Sequence, residues 1–483
     1  LLYGPDPTYC FRRTPALAFT HLDSRVFRMA TTFPGIIAFA FLAALMVAGV
    51  ILRAKFLFLQ KALVPASLLG GGLGFCLVSL DWALGFRPED FTAFAFHFFT
   101  LSFMSLVLTG RDQSNRGASN TALGGLWLSL IWVVSLALQA LVGLSVILAY
   151  NQVSATSLSE FLGIIVTHGF TQGPGQAIAL GDLWSDQFQI DNALDFGLIY
   201  ASLGFIAAFT VGVPIARWML SRNLQNDSTL VLDRNFERGL FDEGARPASG
   251  RQITQPANLD SLALHVGLLG CAYLLTNGYL TFMQPLVAET GFASIFSYNL
   301  FFFHGLMITV VFRRCLDYFQ LGHFVDDATQ KRITGASVDL MVTASLISIN
   351  LSLLIEFWQP ILLVAMAVTL VTALLCFGAS ARINHLGAER GLTIFGCCCG
   401  STGSGILLLR ILDPNLATPV AKELAFFNIA ILFLSFHILG IMAPILPSFD
   451  LSWIVMIYGA TAIIGLLMVA RLGSTLRQET TED

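Results

Sequence analysis

The chain has 483 residues, of which 55% are hydrophobic and only 12% charged, about half the charged content of a soluble domain. A water-soluble globule is excluded, and 26 Lys and Arg against 30 Asp and Glu, a net charge of −4, leave no basic excess to grip nucleic acid. Apolar runs of about 20 residues, long enough to cross the hydrocarbon layer as helix, predict an all-α polytopic membrane protein.

In chain order, residues 1–32 carry Arg12, Arg13, Arg25 and Arg28 and contain the first methionine, Met29. They are read as an N-terminal segment that is a candidate for sequence outside the native chain, with residues 1–28, ahead of Met29, expected to be dispensable. Eleven full spans are expected, at 33–52, 61–80, 92–109, 121–149, 193–220, 261–280, 293–312, 333–355, 359–379, 423–446 and 452–471. Two further apolar segments, 161–181 and 391–411, are broken at their centres by Gly, Ser, Thr or Pro. In lipid a broken helix exposes backbone groups that cost several kcal/mol each unless protein or a watery cavity satisfies them. Such breaks mark a cavity.

Loop charges set the sidedness, because short loops rich in Lys and Arg stay in the cytoplasm. Arg53, Lys55, Lys61, Arg111, Arg116, Arg217, Arg222, Arg313, Arg314, Lys331, Arg332, Arg382 and Arg390, together with Arg410, Lys422, Arg471 and Arg477, all fall on one side only if both broken segments are re-entrant hairpins. The exit loop of the first then carries Asp182, Asp186 and Asp191 outside. Segments 33–220 and 261–446 share an order of elements, and Thr100 to Thr109 echoes Thr343 to Ser352 at constant offset. Two inverted repeats, each of about five spans and one hairpin, are therefore expected, a pattern that points to secondary transport. The polar segment 221–260 is read as a cytoplasmic linker, and 447–483 as an extra C-terminal span and tail.

The first tip holds Thr167, His168, Gly169, Thr171, Gln172, Gly173, Pro174, Gly175 and Gln176; the second holds Cys399, Gly400, Ser401, Thr402, Gly403 and Ser404. Glycine lets a solute approach the backbone, Pro174 frees a carbonyl, and Thr, Ser and Gln add neutral oxygens. Such oxygens suit a dehydrated Na⁺, and half-helix N-termini suit a carboxylate. Candidate substrate-binding residues are Thr171, Gln172, Gly173, Gly175, Gln176, Ser401, Thr402, Gly403 and Ser404. Candidate ion ligands are Thr167, His168, Gly169, Cys399, Gly400 and Asp339, the last taken as the one well-buried carboxylate within a span. His97, His265, His304 and His437 read as satisfied packing residues, and Gly70 to Gly74 as a helix-packing surface. The eight cysteines suggest no disulfide framework, and Cys397, Cys398 and Cys399 point about 100° apart on a helix, too far to face one metal.

Gly169-Phe-Thr-Gln-Gly-Pro-Gly-Gln-Ala177, followed by Gly197-Leu-Ile-Tyr-Ala201 and Gly212-Val-Pro-Ile-Ala-Arg-Trp218, resembles the first-half signature of the sodium:glutamate symporters. Val64-Pro-Ala-Ser-Leu-Leu-Gly-Gly71 resembles that family's second span. The resemblance covers about 33–446 and implies a Na⁺-coupled carrier that takes up glutamate. The chain departs from the family pattern at Pro174, where a histidine commonly stands, in its cysteine-rich second tip, and in span 452–471.

The expected function is Na⁺-coupled symport of glutamate or a related small anionic acid in the inner (plasma) membrane, with Na⁺ as coupling ion and no organic cofactor. An H⁺-coupled carrier relaying through Asp339 and His168, or a channel or receptor, are the alternatives. An enzyme is not expected: Ser404 lies outside any Gly-x-Ser-x-Gly elbow, and no His-Glu-x-x-His exists. Expected partners are the anionic substrate, the lipid bilayer and, as a candidate assembly, a second copy of the chain; nucleic acid is not among them.

Overall fold

The computed structural model describes residues 34–478 apart from 83–84, 110–117, 226–233, 247–249, 291, 292, 294, 384, 415 and 417. The N-terminal segment 1–32 and the loop with Arg111 and Arg116 thus lie outside the described residues. The described residues contain helices and no strand. The first half comprises α1 (Pro34–Lys55), α2 (Ala66–Ser79), α3 (Glu89–Leu108), α4 (Ala118–Ser154), the first hairpin of α5 (Phe161–Ile164), α6 (Val166–Phe170) and α7 (Pro174–Phe188), and α8 (Ala193–Ser221). The second half comprises α9 (Ser261–Val287), α10 (Phe301–Tyr318), α11 (Asp327–Ile347), α12 (Leu351–Glu356), α13 (Trp358–Ser380), the second hairpin of α14 (Gly387–Cys398) and α15 (Thr402–Leu412), and α16 (Val420–Leu434). The helix α17 (Leu451–Gln478) follows.

Among the described residues eight helices are long and apolar enough to cross a membrane: α1, α3, α4, α8, α9, α10 with its preceding turn, α13 and α17. The chain is a multi-pass membrane protein. The other three expected spans depart from a simple crossing for identifiable reasons. The span expected at 61–80 starts only after Pro65, leaving the 14 residues of α2, about 21 Å of helix. The one expected at 333–355 is cut where Asn350 accepts hydrogen bonds from Ser352 N and Leu353 N and starts α12, an Asn cap competing with the helix ladder. The one expected at 423–446 passes at His437–Met442 into a π turn, a wider helix form that inserts a residue into the ladder. The span expected at 293–312 begins at Phe301, after a short 3-10 turn at Tyr298–Leu300. Asp182 and Asp186, expected in an exit loop, belong to α7, which closes at the left-handed Gln189.

The helices carrying the echoed stretches, α3 and α11, lie along each other, joined by Ser105 Oγ donating to the Gln330 carbonyl at 2.9 Å and Thr334 Oγ1 donating to Ser105 Oγ at 2.9 Å. A Cβ built on Gly70 of α2 would fall 2.5 Å from the Leu45 carbonyl oxygen of α1, whereas one on Gly72 meets open space. The glycine run is the packing surface its composition suggests, with Gly72 facing away. At one end of the bundle Arg53 Nε donates to the Glu237 carbonyl at 3.3 Å, Arg217 pairs with the Glu237 carboxylate at 3.6 Å, and Arg217 also donates to the Lys61 carbonyl. Arg53, Lys61 and Arg217 therefore share one end with part of the linker.

At the entry of the second hairpin, Arg390 makes a two-pronged ion pair with Glu423 of α16, at 2.8 and 2.6 Å, and a third bond to the His385 carbonyl at 3.2 Å. Glu423 is 1% exposed, and only Gly124 of α4 can pass its carboxylate, since a Cβ there would lie 2.2 Å from Glu423 Cδ. This corrects the expectation that Asp339 is the one buried carboxylate: Asp339 is exposed, while Glu423 and Glu389 are buried. Glu423→Leu strands a buried guanidinium and should destabilise the protein by about 3–5 kcal/mol. The double change Arg390→Met with Glu423→Leu should restore most of that loss. Melting temperatures of the purified proteins decide, and a native value for Glu423→Leu alone would contradict the role given to the pair.

Candidate functional site

The two hairpins meet tip to tip. The first stops at Phe170 and restarts at Pro174, which sits at the first helical position, where a missing N–H costs nothing. Between them Gly173 takes φ +83°, a conformation that glycine reaches without strain. The second stops at Cys398 and restarts at Thr402, where the Ser401 hydroxyl caps the new helix by accepting from Ser404 N. A Cβ on Gly173 would lie 3.4 Å from the Gly400 carbonyl oxygen, and one on Gly204 of α8 would lie 2.7 Å from the Cys399 and 3.1 Å from the Phe170 carbonyl oxygens. Two half-helix C-termini and two half-helix N-termini, with their unspent carbonyls and N–H groups, thus converge beside Gly204.

A polar network ties this point together. Gln139, fully buried in α4, places its Nε2 3.1 Å from Ser135 Oγ, 3.0 Å from Thr372 Oγ1 of α13 and 3.0 Å from the Cys398 carbonyl. Its Oε1 lies 2.6 Å from the Thr171 hydroxyl, which is also 3.0 Å from the Cys398 carbonyl. Thr167, one turn before Thr171, donates to the Leu136 carbonyl at 2.9 Å. On the second tip Thr402 donates to Asn428 Oδ1 of α16 at 2.9 Å.

The first hairpin and the helix packed on it also carry buried polar atoms without partners. Both ring nitrogens of His168, Gln172 Nε2, the Tyr200 hydroxyl and the Ser202 hydroxyl make no hydrogen bond. All belong to the first hairpin or to α8, which packs on it. A buried polar atom left unpaired costs about 1–3 kcal/mol, so a concentration of five calls for a partner that the chain does not itself supply. The other histidines differ. Both ring nitrogens of His265 are engaged, by the Ser261 carbonyl and Asp326 N, while His304 meets the Ile295 carbonyl, His97 the Tyr273 hydroxyl and His437 the Thr461 hydroxyl.

The structure brings Thr171, Gln172, Gly173, Cys399, Gly400, Ser401 and Thr402 into one neighbourhood, with Ser404 and the buried Gln176 one turn into the following arms. Gly175 and Gly169 have other roles. The Phe99 ring covers the space a Gly175 Cβ would need, and Gly169 lies against the Gly197 carbonyl and Tyr200 of α8. Glycine there serves helix packing rather than solute approach. Val338 of α11 approaches the second tip at Gly403, and the neighbouring Asp339 gives its backbone carbonyl to the Thr343 hydroxyl. The three consecutive cysteines are buried and free; Cys398 and Cys399 act through their carbonyls. Sequence reading missed Gln139, Thr372 and Asn428. A glutamine in the middle of the 37-residue apolar α4 was the available signal, since an uncharged polar group buried in a span needs partners on other helices.

A profile of the sodium/glutamate symporter family matches residues 32–405, which include both hairpin tips. Among curated proteins nothing matches the chain. The match spans most of the chain, with both tips inside it, and the chain belongs to the sodium/glutamate symporter family.

Proposed function

We propose that this protein is a secondary active transporter of the inner (plasma) membrane that carries glutamate, or a closely related small anionic acid, inward together with Na⁺. The observation that carries the proposal is the pair of abutting helix breaks, with unpartnered buried atoms on His168 and Gln172 of the first hairpin and on Tyr200 and Ser202 of the helix packed against it. The tips present neutral oxygens and N–H groups and no formal charge. An anion alone in such a place would be uncompensated, and so would a cation. Bound together they neutralise each other, which is the physical reason for symport at a site of this kind.

In this reading Thr171, Gln172, Gly173, Gln176, Ser401, Thr402, Gly403 and Ser404 surround the substrate. The ion takes oxygens from the Thr167, Gly169, Cys399 and Gly400 region, with His168 facing the same site and Asp339 at its edge. The fold is read as two inverted repeats, 33–220 and 261–446, joined by the linker 221–260. The matching order of elements supports this, as do the pairing of α3 with α11 and the gathering of Arg53, Lys61 and Arg217 at one end.

The coupling is tested in proteoliposomes. Uptake of labelled L-glutamate should rise steeply with external Na⁺ and persist when a protonophore collapses the pH gradient under a clamped Na⁺ gradient. Uptake that ignores Na⁺ and follows protons would overturn the proposal in favour of proton coupling through His168 and Asp339. Gln172→Ala and Thr402→Ala should weaken apparent affinity by about a hundredfold, the effect of a few kcal/mol. Gly72→Ala, which adds a methyl in open space, should leave it unchanged. For the topology, a cysteine replacing the exposed Asp186 at the end of α7 should react with reagents added outside. Reaction from the cytoplasm alone would contradict the re-entrant path.

A further inference from the structure

Three helices bring a polar pair, one turn apart, to the point where the tips meet: Ser135 and Gln139 on α4, Thr167 and Thr171 in the first hairpin, and Thr372 and Cys376 on α13. Gln139 stands at their centre and is the group that touches both hairpins, through the Thr171 hydroxyl of one and the Cys398 carbonyl of the other. A primary amide suits this position because it is neutral and carries an acceptor and two donors in one plane. Its oxygen takes the hydroxyl of the first tip while its nitrogen serves the C-terminal carbonyl of the second.

Ser135, Gln139, Thr171, Thr372 and Cys398 are each 2% exposed or less. Moving either tip by more than about 1 Å takes these bonds out of range and leaves buried groups unpaired. The tips are held in one mutual arrangement by the direct bond from the Thr171 hydroxyl to the Cys398 carbonyl and by Gln139, a residue that lies on neither and braces both partners of that bond.

We infer that Gln139 is the positioning residue that makes ion binding and substrate binding at the two tips mutually dependent. The inference rests on the symport reading above and adds to it the group through which each tip registers the other. Without the amide, each tip keeps its own oxygens and N–H groups, but only the bond from the Thr171 hydroxyl to the Cys398 carbonyl still sets their spacing.

The test is equilibrium binding of L-glutamate to the purified full chain in lipid nanodiscs, in NaCl and in choline chloride. In the native protein Na⁺ tightens the affinity for glutamate. In Gln139→Met, which keeps the length and removes the amide, that enhancement should fall about tenfold. The enhancement of Na⁺ affinity by glutamate should fall by the same factor, as linkage requires. Thr372→Val removes one acceptor and leaves the bridge between the tips, so a smaller fall in the same direction is expected, and it decides alone if Gln139→Met does not fold. A merely structural role would weaken both affinities together and leave the enhancement at its native value, which would overturn the inference. A native protein whose glutamate affinity is equal in both salts would overturn the symport reading itself, a result distinct from the first.

Discussion

The architecture depends on one constraint: backbone carbonyls and N–H groups released where a helix breaks inside an apolar bundle must find partners. Here two helices break at the same place. Their ends abut so closely that Gly173 faces the Gly400 carbonyl and Gly204 faces the carbonyls of both Phe170 and Cys399. Part of the demand is met internally, by Gln139, Thr171 and Thr372 on one side and by the Ser401 cap and the Thr402–Asn428 bond on the other. On the first hairpin and α8, side-chain atoms of His168, Gln172, Tyr200 and Ser202 are left without partners. The division between a satisfied frame and an unsatisfied cluster is what separates scaffold from site.

The buried ion pair is kept away from the tips. The two-pronged Arg390–Glu423 pair sits at the entry of the second hairpin rather than at its tip, and Gly124 makes room for the carboxylate. This placement holds the hairpin against α16 and leaves the tips neutral, so the electrostatics at the site are set by whatever occupies it. A membrane transporter gains from this arrangement because a fixed charge near the midplane is expensive in every state in which it lacks a partner.

Much of this was legible in the residues. The two broken segments stand out because Gly, Pro, Ser and Thr interrupt otherwise continuous apolar runs, and their tips are where the helices stop. Gly70 to Gly74 reads as a packing surface and is one. Span ends were less legible, since Asn350 and Pro65 act by local hydrogen bonding and ring geometry that hydropathy does not weigh. The packing of Phe99 on Gly175 is not legible in the sequence, because glycine serves close packing as readily as solute approach. Gln139 escaped notice because its partners, at 171, 372 and 398, are distant in sequence and no local pattern joins them.

The most direct measurement is an experimental structure determined with Na⁺ and L-glutamate present. The account predicts density for both between the two tips, with the glutamate carboxylates against the restarting ends of α7 and α15 and the side chain of Gln172 within hydrogen-bonding distance. Substrate density elsewhere in the bundle, with His168, Gln172, Tyr200 and Ser202 still unpartnered, would contradict it.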